Sequence, residues 1–432
     1  EKTEYRIAVS STGDLASLRR VLPDSLPGAS LESDIARPIP EAGLAAHLAV
    51  NVTDTSAFKL IESKSDKRED RLDHRFVWER LGSKVGEAEF RVNATVQGDS
   101  FGAASYTFKA PEQFLRDFRE KGTKDAVLQV IQVGVMIGFV IFGSVFFFRF
   151  YRQGQITWKG PIIVGCTFLA AMLIENINGL PQFYQGFNTS QAMSTFLGGE
   201  AIKLVVALSL GPAFFAVLAA LALALHRDQI PDHADPIAAL DSLRSGEGRG
   251  LLLLDSCLGA IAFSMLSRAG SSLRVYVKHT YFLQYGDTSS HSLPWMEGYL
   301  PAAEGIAGII QGFSFIFLAM VAVLILKRVL KKWEWVFVFG VLMGCFQQLG
   351  MAKDLTHGIV IVSITAVAGV ISYGYVFKVL RFNILAYFVG MVFLTRAWSG
   401  IRVMDSEMMW YAGNGFVVVA VALLPLWVGL YR

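Results

Sequence analysis

Residues 308–320 read GIIQGFSFIFLAM, inside an apolar run that extends from about Leu300 to Leu326. A helix needs roughly 20 apolar residues to cross ~30 Å of hydrocarbon, and this run is long enough. Yet Gln311 and Gly312 stand side by side within it, one a polar amide and the other without a side chain. A membrane helix carries such a pair for a reason, and the rest of the chain narrows what that reason is.

Apolar runs of similar length recur. The chain has 432 residues, 53% hydrophobic and 17% charged, with 32 Phe and 8 Trp. That composition is more apolar and less charged than a soluble domain. Nine spans are predicted, at about 126–148, 160–179, 196–225, 251–269, 300–326, 334–350, 358–378, 382–398 and 410–431. The fourth is the most diluted, by Asp255, Arg268 and small polar residues. The fold class is a polytopic all-α membrane protein with a separate N-terminal domain.

The net charge of +3 is small, and no long basic run or stacked-aromatic motif suggests a nucleic-acid partner. Cys166, Cys257 and Cys345 lie in apolar segments without CxxC or Cys/His spacing. They read as structural thiols, not as a disulfide framework or zinc site. The first residue is Glu1 rather than Met, so an upstream signal peptide or anchoring helix is expected.

Residues 1–122 differ in character from the apolar remainder of the chain. EYRIAVS, FKLIESK, HRFVWER, EFRVNATV and SYTFKAP alternate as half-buried strands do. EAGLAAHLAV (41–50) reads as a helix between strands and PEQFLRDFREKG (111–122) as a connecting helix. The expectation is a small α+β domain of curled antiparallel sheet, with the charged run ESKSDKREDRLDHR (62–75) a solvated loop. Isolated His47 and His74 read as ordinary histidines, and no catalytic triad or phosphate loop is present. Residues 123–299 form N-terminal membrane helices with a loop at 226–250, and 300–432 a membrane core with a final helix. The segment 274–299 reads as an external loop with interfacial aromatics.

Lys and Arg mark one set of loops. Arg149, Arg152 and Lys159 follow the first span, Arg227, Arg244 and Arg249 the third, Lys327, Arg328, Lys331 and Lys332 the fifth. Loops rich in Lys and Arg face the cytoplasm. The N-terminal domain is therefore expected outside a bacterial inner membrane, with loop 226–250 cytoplasmic.

Charged groups in hydrocarbon cost at least ~2.5–3.5 kcal/mol at mid-helix, so each is a functional candidate. Glu175, with Asn176 and Asn178, closes the second span near the outer interface. Glu200 and Lys203 share a helix face, as an ion pair or as the lining of a polar cavity. Glu304 is the sole carboxylate in the fifth span, two turns before Gln311. Intramembrane hydrolysis needs an activated water, an acid–base group and an oxyanion donor, or three converging metal ligands. From Leu300 onward the one histidine is His357, in a predicted loop, and Ser314, Ser363 and Ser372 have no base in sequence reach.

The half that contains YLPAAEGIAGIIQGFSFIFLAMVAVLILKRVLKKW and LRFNILAYFVG resembles the CPBP family of CAAX-prenyl endopeptidases and bacteriocin-processing intramembrane proteins. SDKREDRLDHRFVWE (65–79) and FNTSQAMSTFL (187–197) resemble the external domain and connecting segment of long bacterial members. The family's signatures are Glu-Glu-x-x-x-Arg, Phe-x-x-x-His and His-x-x-x-Asn/Asp. In register, the first falls on Gln311, Gly312 and Ile316, the second histidine-bearing position on Gln347, and the third pair on Met391 and Thr395. Gln is not a base at neutral pH, Gly has no side chain, and Met does not suit a hard metal. The resemblance thus implies a catalytically inactive member without cofactor. Its vestigial cavity would be lined by Gln311, Ser314, Gln347 and Thr395 and hold a lipid, isoprenoid tail or partner helix. Membrane lipids and other membrane protein subunits are the implied partners. Two other readings stand beside it: a peptidase using Glu304 and Glu200, and a transporter with Glu200, Lys203 and Glu304 along its path.

Overall fold

The computed structural model describes residues 3–9, 15–119, 123–183, 187, 192–239, 249–282, 295, 298–352, 354–380, 383–392, 396–406 and 408–430. Two compact units emerge: Glu1–Lys121 with Phe187–Glu200, and Gly122–Gly186 with Ala201–Arg432.

The first unit is built on a six-stranded antiparallel sheet. Its strands are β1 (Glu4–Val9), β2 (Leu15–Val21), β3 (Phe58–Lys67), β4 (Leu72–Val85), β5 (Ala88–Gln97) and β6 (Ser100–Lys109), in the order β1-β2-β6-β5-β4-β3. Two helices lie between β2 and β3, α1 (Ser33–Ala36) and α2 (Pro38–Leu48), and α3 (Glu112–Arg119) follows the sheet. Pro38 opens α2, where a missing N–H costs nothing. Alternation puts Phe76 and Trp78 of β4 and Val92, Ala94 and Val96 of β5 on one face, against Leu44 and Leu48 of α2.

The charged run 62–75 is not a loop. β3 continues to Lys67 and β4 starts at Leu72, so only 68–71 turn. Alternation resolves the charges: outward residues meet solvent, while inward ones are paired. Arg71, 3% exposed, donates to Asp73 at 2.9 Å and to the carbonyls of Pro23 and Leu26. His74 bridges Ser65 Oγ and the Leu31 carbonyl. Strand β2, LASLRRV, was not anticipated; it lacks strict alternation, and its pairing with β1 and β6 defines it.

Among the described residues eight helices are long and apolar enough to cross a membrane, seven in the second unit and α7 beginning in the first. These are α4 (Thr123–Arg152), α5 (Lys159–Asn178), α7 (Met193–Gln229), α8 (Arg249–Tyr281), α9 (Pro301–Leu330), α10 (Trp333–Met351), α11 (Leu355–Tyr375) and α14 (Met409–Leu430). A short α6 (Leu180–Phe183) follows α5, and α12 (Ile384–Val392) and α13 (Trp398–Met404) precede α14. The architecture is that of a polytopic helical membrane protein.

Helix α9 is central. Half of its apolar window is buried (50%), against 33% at most in the others. It packs on α5, α14, α12, α10 and α4. Pro301 occupies its first turn, and two of its N-terminal amides find side-chain acceptors: Leu300 N–H donates to Asn178 Oδ1 and Ala302 N–H to Asn414 Oδ1. Asn178, expected at the interface, is instead buried because it serves that helix end. Phe168, Phe215 and Phe315 pack together where α5, α7 and α9 meet, with Phe315 edge-on to the other two rings.

In the apolar run 382–398 the described residues include helix over Ile384–Val392, and residues 381, 382 and 393–395 lie outside the described ones. Arg396 lies in that run, and its guanidinium rests against Gly308 of α9. One expectation changes here. The segment 274–299 is not loop from its start, since α8 continues as one helix to Tyr281.

Candidate functional site

Gln311 lies on α9 and Glu175 in the last turn of α5, the pair of helices with the most extensive packing in this unit. The Gln311 side-chain amide donates to the Glu175 carboxylate at 2.6 Å. Both residues are half-buried. A carboxylate near hydrocarbon needs a donor, and this amide supplies one without adding a second charge.

Gly312 is buried, and a Cβ built on it meets nothing within 4 Å. One turn back, at Gly308, an added methyl would overlap the Arg396 guanidinium. Ser314 is fully buried, and its hydroxyl has no partner among the described residues. Glu304 sits in the first turn of α9, where the helix dipole favours an anion, and within electrostatic reach of Tyr411.

The second feature is a cavity of about 1030 Å³ walled by α4, α7, α8, α9, α10, α11 and α12. Its walls are largely aromatic and aliphatic. On α10 the lining positions Trp333, Phe337, Gly340, Gly344 and Gln347 recur every three or four residues. At ~1.5 Å per residue this stripe is ~21 Å long, so the cavity is a slot along the helix. A π-helical turn, Val376–Leu380, extends α11, and its Val376 and Phe377 join the wall. Such turns often mark functional positions.

The slot has a closed side and an open one. Val336, Ile316 and Phe388 are buried on the closed side, whereas Gln132, Val323, Tyr373 and Gln347 are exposed. Polar groups gather at its two ends. Gln132 and Gln347 mark one end, where Leu128 of α4 meets Gly350 of α10. At the other, His226 of α7 and Ile230 just after it line the slot with Trp333. The ends of α7 and α9 are tied there by the Arg328–Asp228 ion pair and by Gln229 Nε2 donating to the Leu324 carbonyl. Lys327 stands over the Trp333 ring, 5.3 Å from its centre.

Of the positions drawn from the sequence, Ile316 and Gln347 line the slot. Gln311 and Ser314 are not among its lining residues. Five residues turn a helix by about 500°, leaving Gln311 about 140° from Ile316, and Ser314 is about 160° away by the same measure. The side chain of Met391 and all of Thr395 lie outside the described residues. Glu200 and Lys203 both fall on α7, half-buried and exposed respectively. Among the described residues no three His, Cys, Asp or Glu side chains converge as a metal site would require.

Sequence reading missed His226, Gln132 and Arg396. His226 ends an apolar helix and was hidden among the charges of a loop boundary; an ionisable residue inside LALALHR was the available signal. Comparison of the chain with family models, with curated proteins and with solved structures returned no match.

Proposed function

We propose that the protein is a catalytically inactive CPBP-like membrane protein that serves as a scaffold or accessory subunit and holds a lipid chain in its slot. It sits in the bacterial inner membrane, with the N-terminal sheet domain on the extracytoplasmic side and the basic ends of α4, α7 and α9 at the cytoplasm. The observation that carries this reading is the Gln311–Glu175 bond. It gives the residue at the family's first glutamate position a structural role and leaves no free carboxylate there for acid–base work. The slot supports the lipid part. Its volume is at the upper end of the ~300–1,000 Å³ usual for ligand sites, and its open side consists of membrane-embedded residues.

The test is isolation of the full chain from its native membrane in mild detergent, with mass spectrometry of proteins and lipids. A stoichiometric membrane partner together with a retained lipid supports the reading. A lone protein that cleaves peptide, with cleavage abolished by Glu304→Gln, overturns it in favour of an enzyme.

A further inference from the structure

The slot distinguishes its ends chemically, and His226 makes the difference. The residue is 3% exposed and lines the cavity, and its Nδ1 has no hydrogen-bond partner among the described residues. A buried imidazole with a partnerless ring nitrogen carries a desolvation cost, which a ligand group hydrogen-bonded to the ring would offset. The charged residues near this end include Arg227, Asp228, Asp232, His233 and Asp235 after His226 in sequence, Lys327, Arg328, Lys331 and Lys332 at the end of α9 and in the turn after it, and Glu334 in the first turn of α10. With Asp235 held by Arg227 and Asp228 by Arg328, Lys327, Lys331 and Lys332 stand against Asp232 and Glu334.

We infer that the slot binds a single-chain amphiphile with a carboxyl headgroup, a long-chain carboxylic acid, and that His226 is its headgroup ligand. This rests on the lipid-holding reading and names the ligand's class. The ~21 Å stripe on α10 takes one extended hydrocarbon chain along the aromatic wall. The exposed edge at Val323 and Tyr373 admits that chain sideways from the bilayer. The carboxyl group stops at the His226 ring, where either tautomer finds a complement: a carboxylic O–H donates to a bare ring nitrogen, and a carboxylate accepts from a protonated one. Lys327 and its neighbours favour the anionic head at this mouth over the Gln132–Gln347 end, where the lining side chains among the described residues are uncharged.

The experiment uses the full chain in nanodiscs with a palmitic acid that carries a mid-chain diazirine, photolysed and mapped by peptide mass spectrometry. Palmitic acid and hexadecane compete at equal mole fraction in the bilayer. Labelling on α10 and α11, displaced at least about fivefold better by the acid than by the alkane, is the expected result. In His226→Phe that preference falls to parity while hexadecane still competes as in wild type, and His226→Gln restores it. A preference that survives His226→Phe, or wild-type displacement that is equal for acid and alkane, overturns the headgroup assignment and leaves the slot as a lipid site. Absence of label from the slot in wild type overturns the lipid reading itself. A tightly held diacyl phospholipid that palmitic acid does not displace also overturns the assignment.

Discussion

Gln311 and Glu175 are 136 positions apart in sequence and 2.6 Å apart in space, amide to carboxylate, across the α5–α9 interface. Interhelical hydrogen bonds in membranes average about 0.6 kcal/mol in double-mutant cycles, with about 1.7 as the upper end. A cycle through Gln311→Leu and Glu175→Leu is expected to give a coupling in that range, read from unfolding in detergent. The more telling variant is Gln311→Glu, which sets two carboxylates face to face. They cannot both ionise cheaply, so their pair binds a proton more tightly folded than unfolded. The variant therefore loses stability as pH rises and regains it as pH falls toward 5. A Gln311→Glu protein as stable as wild type at pH 8 would show that this bond does not hold the helices.

Two glycines one turn apart on α9 should respond oppositely to the same methyl group. At Gly312 the added Cβ enters open space, so Gly312→Ala keeps only the helix-propensity gain, about 0.8–1.0 kcal/mol. At Gly308 the methyl displaces the Arg396 guanidinium, with a cost of about 1–3 kcal/mol. Arg396→Met removes the obstacle, so Gly308→Ala in that background becomes stabilising. Thermal unfolding of the four variants decides it.

In the N-terminal unit Arg71 depends on Asp73, which also accepts from Arg68 and from the Gly98 amide. Asp73→Ala leaves a guanidinium that is 3% exposed without its counter-charge, a change that costs about 3–5 kcal/mol. Faster hydrogen exchange across β4 and β5 is expected. Lys64→Ala, which removes the exposed partner of Asp66, should leave the exchange unaltered.

Asp54 supplies a pH dependence. Its carboxylate accepts from the Ser56 hydroxyl at 2.6 Å and from the Ser56 amide at 2.9 Å, and these bonds hold its pKa below the ordinary aspartate value. A carboxylate lowered in the folded state adds stability above its unfolded pKa and loses it as pH falls through the folded one. The effect belongs below about pH 4, and Ser56→Ala should flatten it. An acid-unfolding curve unchanged by that substitution would rule out this contribution.

Long helices were legible because crossing a bilayer imposes a length on the sequence, and α4, α5, α9, α10, α11 and α14 follow it closely. The contact of Arg396 with Gly308 was not legible, because it joins the run 382–398 to another helix. Strand β2 and the paired charges of 62–75 were hidden for the same kind of reason: their partners are distant in sequence. The slot was not legible at all. Its walls come from separate helices, and Phe337 facing Tyr387 across a void has the same local pattern as Phe facing lipid.

Ser314 remains as a buried hydroxyl, 0% exposed, on the face of α9 turned away from the slot. A helical serine ordinarily relieves such burial by donating to the carbonyl four residues earlier, as Ser209, Ser256 and Thr365 do here. Its Oγ makes no such bond, so its desolvation is uncompensated among the described residues. Ser314→Ala is therefore expected to stabilise the protein or leave it unchanged, whereas Ser256→Ala, which breaks bonds to Leu252 and Asn383, should destabilise it by about 0.5–1.5 kcal/mol. Both substitutions remove one hydroxyl from a buried helix face, so unfolding midpoints in one detergent compare them directly. A loss at Ser314 as large as at Ser256 would mean that the Ser314 hydroxyl has a partner in the membrane-bound protein, and would make that partner the next group to identify.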